Sequence, residues 1–389
     1  MSGPVQDLPA AAAHLRAILE RACAGLVQRE VAVQLIVLGA VAGEHVLLIG
    51  PPGTAKSEAA RRVARGLGGR FFEYLVGRFT EPSELFGPVD LEKLRRGVVE
   101  TRTAGMLPEA DVAFLDEVFL GSTAILNTLL GILNERSFRR GHTTLRCPLR
   151  VCVGAANQLP DDPALAAFAD RFLLHLFLEP IADPYLESLL EAGWSQPALI
   201  PGGAEELAAL DVLIAAARDV DVLAVRAHLS EAVRILRGAG IEMTDRRVVK
   251  LQRLIAAAAT LDGRAQATGA DLWPIVFAIA DPSSQERARE LLRDTLAAAR
   301  SAAVGAAAEH ASLGPLARAD RLCRSARALL DVDPGDEPVA RRRWRLKLEG
   351  VAREIDAGFA RASLPDALAE VRSELVARLG EAPVAAPPT

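Results

Sequence analysis

The sequence predicts an α/β fold in which a five-stranded, largely parallel sheet gives way to helices alone. Three observations predict it. The apolar run at 44–49 ends in a Gly/Pro-rich turn, and residues 57–67 then read as a helix. Strand, glycine loop and helix in that order open many phosphate-binding α/β domains. Four more apolar runs, at 71–76, 112–115, 150–154 and 172–178, are continuous rather than alternating, as expected of strands covered on both faces. After Pro180 the strand signal stops.

The elements follow in order. Residues 8–42 carry apolar side chains at helical spacing and read as two helices separated near Gly25. The strand, loop and helix of 44–67 come next, and helical segments such as 124–134 separate most of the later strands. The segment 77–110 breaks the rhythm. It holds Gly87-Pro88, Gly97 and Gly105 around an alternating stretch at 98–101, which predicts an inserted hairpin. A second hairpin is expected at 137–145, turning at Arg140-Gly141. Residues 183–282 read as helices divided by Pro201-Gly202-Gly203, the glycines at 238–240 and Gly263. A second helical portion, to residue 379, is split by Gly314-Pro315 and by 331–338. The expected segments are therefore 1–182, a sheet core with N-terminal helices; 183–283, a helical domain; 284–380, a helical extension; and 381–389, a frayed Pro/Ala-rich tail.

Composition narrows the function classes. The 389 residues include 45 basic and 50 acidic side chains, a net charge of −5, which argues against a protein that coats nucleic acid. Aromatics make up 4% of the chain, too few for a base-stacking platform. Cysteines at 23, 147, 152 and 323 form neither a disulfide framework nor a zinc pattern. The N-terminus shows no secretory signal, and the most apolar window, 31–43, is too short to span a bilayer. A reduced, cytoplasmic protein is the expectation.

The chemistry begins at the turn Gly50-Pro51-Pro52-Gly53-Thr54-Ala55-Lys56-Ser57. A loop of this kind wraps a phosphate with backbone N–H groups while its lysine reaches the β- and γ-phosphates. Its hydroxyl ligates Mg²⁺, and the following helix points its N-terminus at the anion. The general pattern places glycine directly before the lysine. Ala55 stands there instead, and its methyl group is expected to require a negative φ. At the third strand, Asp116 and Glu117 follow an apolar run, on the edge where open α/β sheets bind ligands. Asp116 is expected to hold Mg²⁺, and Glu117 to polarise the attacking water as general base.

Three polar residues complete the candidate set. Asn157 ends the fourth strand and could orient the water or touch the γ-phosphate. Arg171 precedes the last strand and could stabilise transition-state charge in a neighbouring subunit. Arg246, with Arg247 as rival, opens a later helix and could report nucleotide state to the helical domain.

The order of these parts resembles the AAA+ ATPases, within them the MoxR family, and most nearly its RavA-like branch. The likeness spans about residues 10–280. It rests on Gly-Pro-Pro-Gly-Thr-Ala-Lys-Ser at 50–57, Phe-Glu-Tyr-Leu at 72–75, Glu-Leu-Phe-Gly-Pro at 84–88 and Leu-Pro-Glu-Ala at 107–110. It continues through Phe-Leu-Asp-Glu at 114–117, Ala-Ile-Leu-Asn-Thr-Leu-Leu at 124–130, Asn-Glu-Arg-Ser-Phe at 134–138 and Asp-Arg-Phe at 170–172. That branch also carries alanine before the lysine. The resemblance implies an AAA+ P-loop core with an all-helical lid and a helical C-terminal extension. Lys56 and Ser57 then correspond to Walker A, Asp116 and Glu117 to Walker B, Asn157 to sensor 1, Arg171 to the arginine finger and Arg246 to sensor 2. The two hairpins correspond to insertions that face the pore of a hexameric ring. ATP and Mg²⁺ are the implied cofactors. A protein client is implied as well, with a von Willebrand factor A (vWA) domain partner in a separate chain.

Three readings compete. The first is an ATP-driven remodelling chaperone. The second is a nucleic-acid motor or loader, since helicases share both insertions; the acidic balance and scarce aromatics count against it. The third is a small-molecule P-loop kinase, which needs an acceptor pocket and no neighbouring arginine.

Overall fold

The structure is a computed structural model that describes residues 8–181, 183–194, 201–312, 322–323, 325–327, 329–335, 337–359 and 364–380. The Pro/Ala-rich tail and the Gly314-Pro315 turn lie outside the described residues.

The strands, in chain order, are β1 (Val46–Ile49), β2 (Phe71–Leu75), β3 (Val112–Asp116), β4 (Ser137–Arg140), β5 (Thr143–Arg146), β6 (Val151–Ala156) and β7 (Leu174–Phe177). β4 and β5 form an antiparallel hairpin, and the others make one parallel sheet ordered β2-β3-β6-β1-β7. Successive side chains of a strand face opposite sides, and both sides here are dry. Val46, Leu48, Val112, Phe114, Val151 and Val153 pack with the helices Leu8–Cys23, Glu30–Ala42 and Lys56–Leu67. Leu47, Ile49, Ala113, Leu115 and Cys152 pack on the other side with Phe86, Ile125, Leu129, Ile132 and Phe138. Two covered faces are why these strands read as unbroken apolar runs.

The hairpin expected in 77–110 is not there. Glu81 and Glu84 form a reciprocal capping box with Pro82 in the first turn, which nucleates the helix Pro82–Phe86. The Asp90 carboxylate accepts from the Glu92 and Lys93 amides and starts the helix Leu91–Leu94. Only an isolated bridge, Val89 to Thr101, survives as pairing within the segment. The alternating stretch docks instead on the β4–β5 hairpin: His142 N donates to Val99 O at 2.8 Å and Thr101 N to Thr143 Oγ1 at 2.8 Å.

Two compact units divide the chain, residues 1–180 with 196–312, and residues 181–195 with 313–389. The expected border after 182 lies two residues from the division after Pro180, and the one at 284 falls inside the first unit. Gly202 N donates to Arg65 O at 2.8 Å, pinning the returning chain beside the helix Lys56–Leu67. From there the helix Ala204–Asp219 buries Leu210 and Leu213 in the same core as Leu15 and Ile18. In the second unit, Leu348 and Ile355 of the helix Pro338–Gly358 pack on Leu368, Val371 and Leu375 of the helix Asp366–Gly380. Trp344 packs against that core and donates its indole N–H to Leu329 O at 2.7 Å, while Arg341 and Arg342 are exposed. Among the described residues, no helix is long and apolar enough to cross a membrane.

Candidate active site

The chain leaves β1 at Ile49 and turns through 50–55 into the helix Lys56–Leu67. Gly50 N donates to Ala156 O at 3.1 Å, and Thr54 Oγ1 donates to Pro51 O at 2.9 Å. A Cβ on Gly50 would fall 2.3 Å from the Leu178 carbonyl oxygen, so only glycine fits. Pro51, Pro52 and Gly53 are exposed at the crest, and Gly53 has a φ of +81°. Ala55 departs from expectation: its φ is +60°, in the left-handed region, not negative. Left-handed residues curl successive amides into an anion-binding concavity. The geometry of the turn therefore overrides the preference of the alanine Cβ, at a cost of about 1–2 kcal/mol.

Lys56 is 7% exposed and donates to Gly50 O at 2.6 Å and Pro51 O at 3.1 Å. Burial lowers its pKa, and the charges of Asp116 and Glu117 partly offset that. Ser57 is half-buried in the first helical turn. Asp116 is the last residue of β3 and Glu117 follows it with a φ of +50°. The Glu117 amide donates to Asp116 Oδ1 at 3.1 Å. Leu115 pairs with Gly154, which brings the end of β6 alongside, and Asn157 Nδ2 donates to Glu117 Oε1. Burial and the Asp116 charge raise the Glu117 pKa above its ordinary value, with Lys56 pulling the other way. A carboxylate so placed is a stronger base than an exposed one and is already oriented by the amide. The structure thus gathers residues 50–57, Asp116, Glu117 and Asn157 at the carboxyl edge of the sheet.

Arg29 belongs to the same region, and sequence reasoning passed over it. It is 5% exposed, its Nε donates to Thr54 O at 2.7 Å and its Nη2 to Glu179 O at 2.8 Å. It therefore ties the loop to the chain leaving β7. The one signal was an arginine directly ahead of the apolar helix Glu30–Ala42.

Arg171 and Arg246 are elsewhere. Leu174 at the start of β7 pairs with Val46 at the start of β1, whereas the phosphate loop leaves the far end of β1. Three strand steps, roughly 10 Å, separate those edges. Arg171 stands at the amino edge, its Nη1 3.9 Å from Asp170 Oδ2. Arg246 is half-buried and donates to the Asn134 side chain. Its neighbour Arg247 is 5% exposed and spends its guanidinium inside the fold, on Asp170 and on main-chain carbonyls. Of the two rivals, Arg246 is the one with its guanidinium outside that clamp.

The cysteines add no chemistry here. All four are free thiols, and burial pushes Cys147 up to about 11 and Cys152 to about 12. Among the described residues no cluster of His, Cys, Asp and Glu could by itself hold a metal ion.

Residues 13–212 match the family model described as the MoxR domain in the MoxR–vWA–beta-propeller ternary systems. Two uncharacterized proteins of Methanocaldococcus jannaschii are 34% and 33% identical over 259 residues, 66% of this chain in each case and 68% and 69% of theirs. A structural protein of Acidianus two-tailed virus is 33% identical over 46% of this chain and 29% of its own. Among solved structures, a Cytophaga hutchinsonii protein described as a candidate ATPase superposes with a TM-score of 0.60 at 17% identity. The match covers 76% of this chain and 97% of that one.

Proposed function

Since the chain belongs to the MoxR family of AAA+ ATPases, we propose that it hydrolyses ATP to remodel protein clients in the cytoplasm. It does so as a hexameric ring, with a vWA-domain protein in a separate chain as partner. The observation that carries this reading is the split of the candidate residues: Lys56, Asp116, Glu117 and Asn157 stand at the carboxyl edge of the sheet and Arg171 at its amino edge, while Arg246 donates to Asn134 away from the phosphate loop. A single subunit offers a site short of its arginines, and a neighbour in a ring can supply them.

In this reading the backbone of residues 50–55 cradles the phosphates and Lys56 binds the β- and γ-phosphates. Glu117, oriented by Asn157, takes the proton of the attacking water. Arg171 of the adjacent subunit meets the charge that develops on the γ-phosphate, and Arg246 contributes to the same neighbouring site. The Ser57 hydroxyl and the Asp116 carboxylate are hard oxygen donors of the kind Mg²⁺ takes when phosphates and water supply its other ligands. They would hold the ion, which neutralises phosphate charge. Residues 183–283 act as the lid and 284–380 as a helical extension. The finer placing in the RavA-like branch is supported by Ala55 before Lys56 and by the stretches quoted above.

Mixing subunits tests the proposal. Lys56→Ala and Arg171→Ala assemblies should each be inactive alone. Combined, they should regain a fraction of the ATPase rate, because some interfaces join an intact loop to an intact arginine. Failure to recover at any ratio would sink action across the interface.

A further inference from the structure

Arg247 has a task of its own. Its Nε donates to Asp170 Oδ1 at 2.6 Å, Nη1 to Ala278 O at 2.6 Å and Leu173 O at 3.3 Å, and Nη2 to Phe172 O at 3.2 Å. Three of its four acceptors lie in the four-residue loop 170–173, which carries Arg171 from the helix Pro163–Ala169 into β7. The same Asp170 carboxylate also faces Arg171, through its other oxygen. Arg247 sits in the first turn of the helix Asp245–Leu261, whose Thr244 cap accepts from the Arg247 amide. A planar guanidinium can grip several acceptors at fixed angles, which an ammonium cannot. Buried among carbonyls, it is held rigidly, because any displacement would strand its donors without water.

We propose that Arg247 is a positioning residue for the arginine finger: it clamps the loop Asp170–Leu173 to the first turn of the helix Asp245–Leu261, so that Arg171 is offered to the neighbouring subunit in one fixed geometry. This rests on the reading of Arg171 as acting across the interface. Arg247 itself touches no substrate. It also joins the finger rigidly to the helix that bears Arg246, so a shift of that helix moves both arginines together.

The test uses full-length Arg247→Lys, which keeps the charge and loses the fork. Asp170→Ala is its companion: it removes the acceptor shared with Arg171 and leaves the three carbonyl bonds. Each should lower kcat on the order of 10- to 100-fold, the loss expected from ångström-scale misplacement of a catalytic group. The KM for ATP should not change, since the variant's own phosphate loop is intact. Asp170→Asn, which restores an acceptor, should recover part of the rate. Mixed with Lys56→Ala subunits, both Arg247→Lys and Asp170→Ala should regain activity as Arg171→Ala does, because the partner brings a correctly held finger. A merely misfolded subunit gains nothing from such mixing. An unaltered kcat in both variants overturns the proposal. So does a loss that mixing does not repair while Arg171→Ala is repaired under the same conditions. If Arg171→Ala is not repaired either, action across the interface fails and the clamp's role falls with it.

Discussion

Ala55 holds a conformation that its side chain resists. Its φ of +60° stores about 1–2 kcal/mol at the residue before Lys56. Glycine would relieve that strain while adding freedom to the unfolded chain, a smaller effect of about 0.4–1 kcal/mol. Ala55→Gly should therefore stabilise the protein by roughly 1 kcal/mol, read as a higher denaturant midpoint at unchanged slope. An unchanged or lower midpoint would show that the left-handed turn carries no strain. The loop and the acidic pair were legible in the sequence because phosphate and water chemistry demand particular side chains at fixed spacing. The φ of Ala55 was not, since one residue type cannot report whether its environment overrides it. Arg29 and Arg247 were illegible for a related reason. Each spends its guanidinium largely on main-chain carbonyls, which every residue possesses. No complementary side-chain pattern marks such a clamp.

Among the elements, the sheet was readable because burial on both faces selects the same apolar residues at every position. The segment 77–110 misled because two helix caps, at Glu81 and Asp90, outcompete a weak alternation in a stretch lacking a partner strand of its own. Its alternating residues found their partner in the β4–β5 hairpin, which the sequence did place near its observed position. That docking couples two insertions far apart in the chain, and its side-chain links are Thr143, which accepts from Thr101 N, His142, whose Nδ1 accepts from Val99 N, and Arg140, which donates to Gly87 O. Thr143→Val keeps the shape and removes the oxygen that accepts from Thr101 N. The loss of one such bond is worth roughly 1 kcal/mol, about fivefold faster hydrogen exchange at the Thr101 amide. Exchange elsewhere in the sheet should be unaffected. Undiminished protection at Thr101 would show that the Thr143 hydroxyl contributes nothing to the docking.

At the scale of the whole molecule, the net charge of −5 conceals a locally basic surface. Arg95, Arg96, Arg139 and Arg146 are exposed on the two docked insertions, where they could attract a polyanion. The surroundings decide what kind of chain the surface suits. Exposed Leu91, Leu94, Val98 and Val99 lie in the same segment as Arg95 and Arg96, and the one aromatic of the hairpin, Phe138, is fully buried. Single-stranded nucleic acid is gripped by stacking successive bases on aromatic faces, worth about 1–3 kcal/mol per base, and the one exposed phenyl ring on these insertions, Phe79, is too few for a run of stacked bases. Interspersed arginine and aliphatic side chains instead suit a polypeptide with both acidic and apolar residues. The ATPase rate should accordingly be insensitive to single-stranded DNA and RNA at physiological salt. Any response seen at low salt should vanish as salt rises, since only counterion release would drive it. A denatured acidic protein should stimulate turnover, and Val98→Asp with Val99→Asp should abolish that stimulation while leaving the basal rate intact. Strong stimulation by a polynucleotide that persists at physiological salt would instead identify the protein as a nucleic-acid motor.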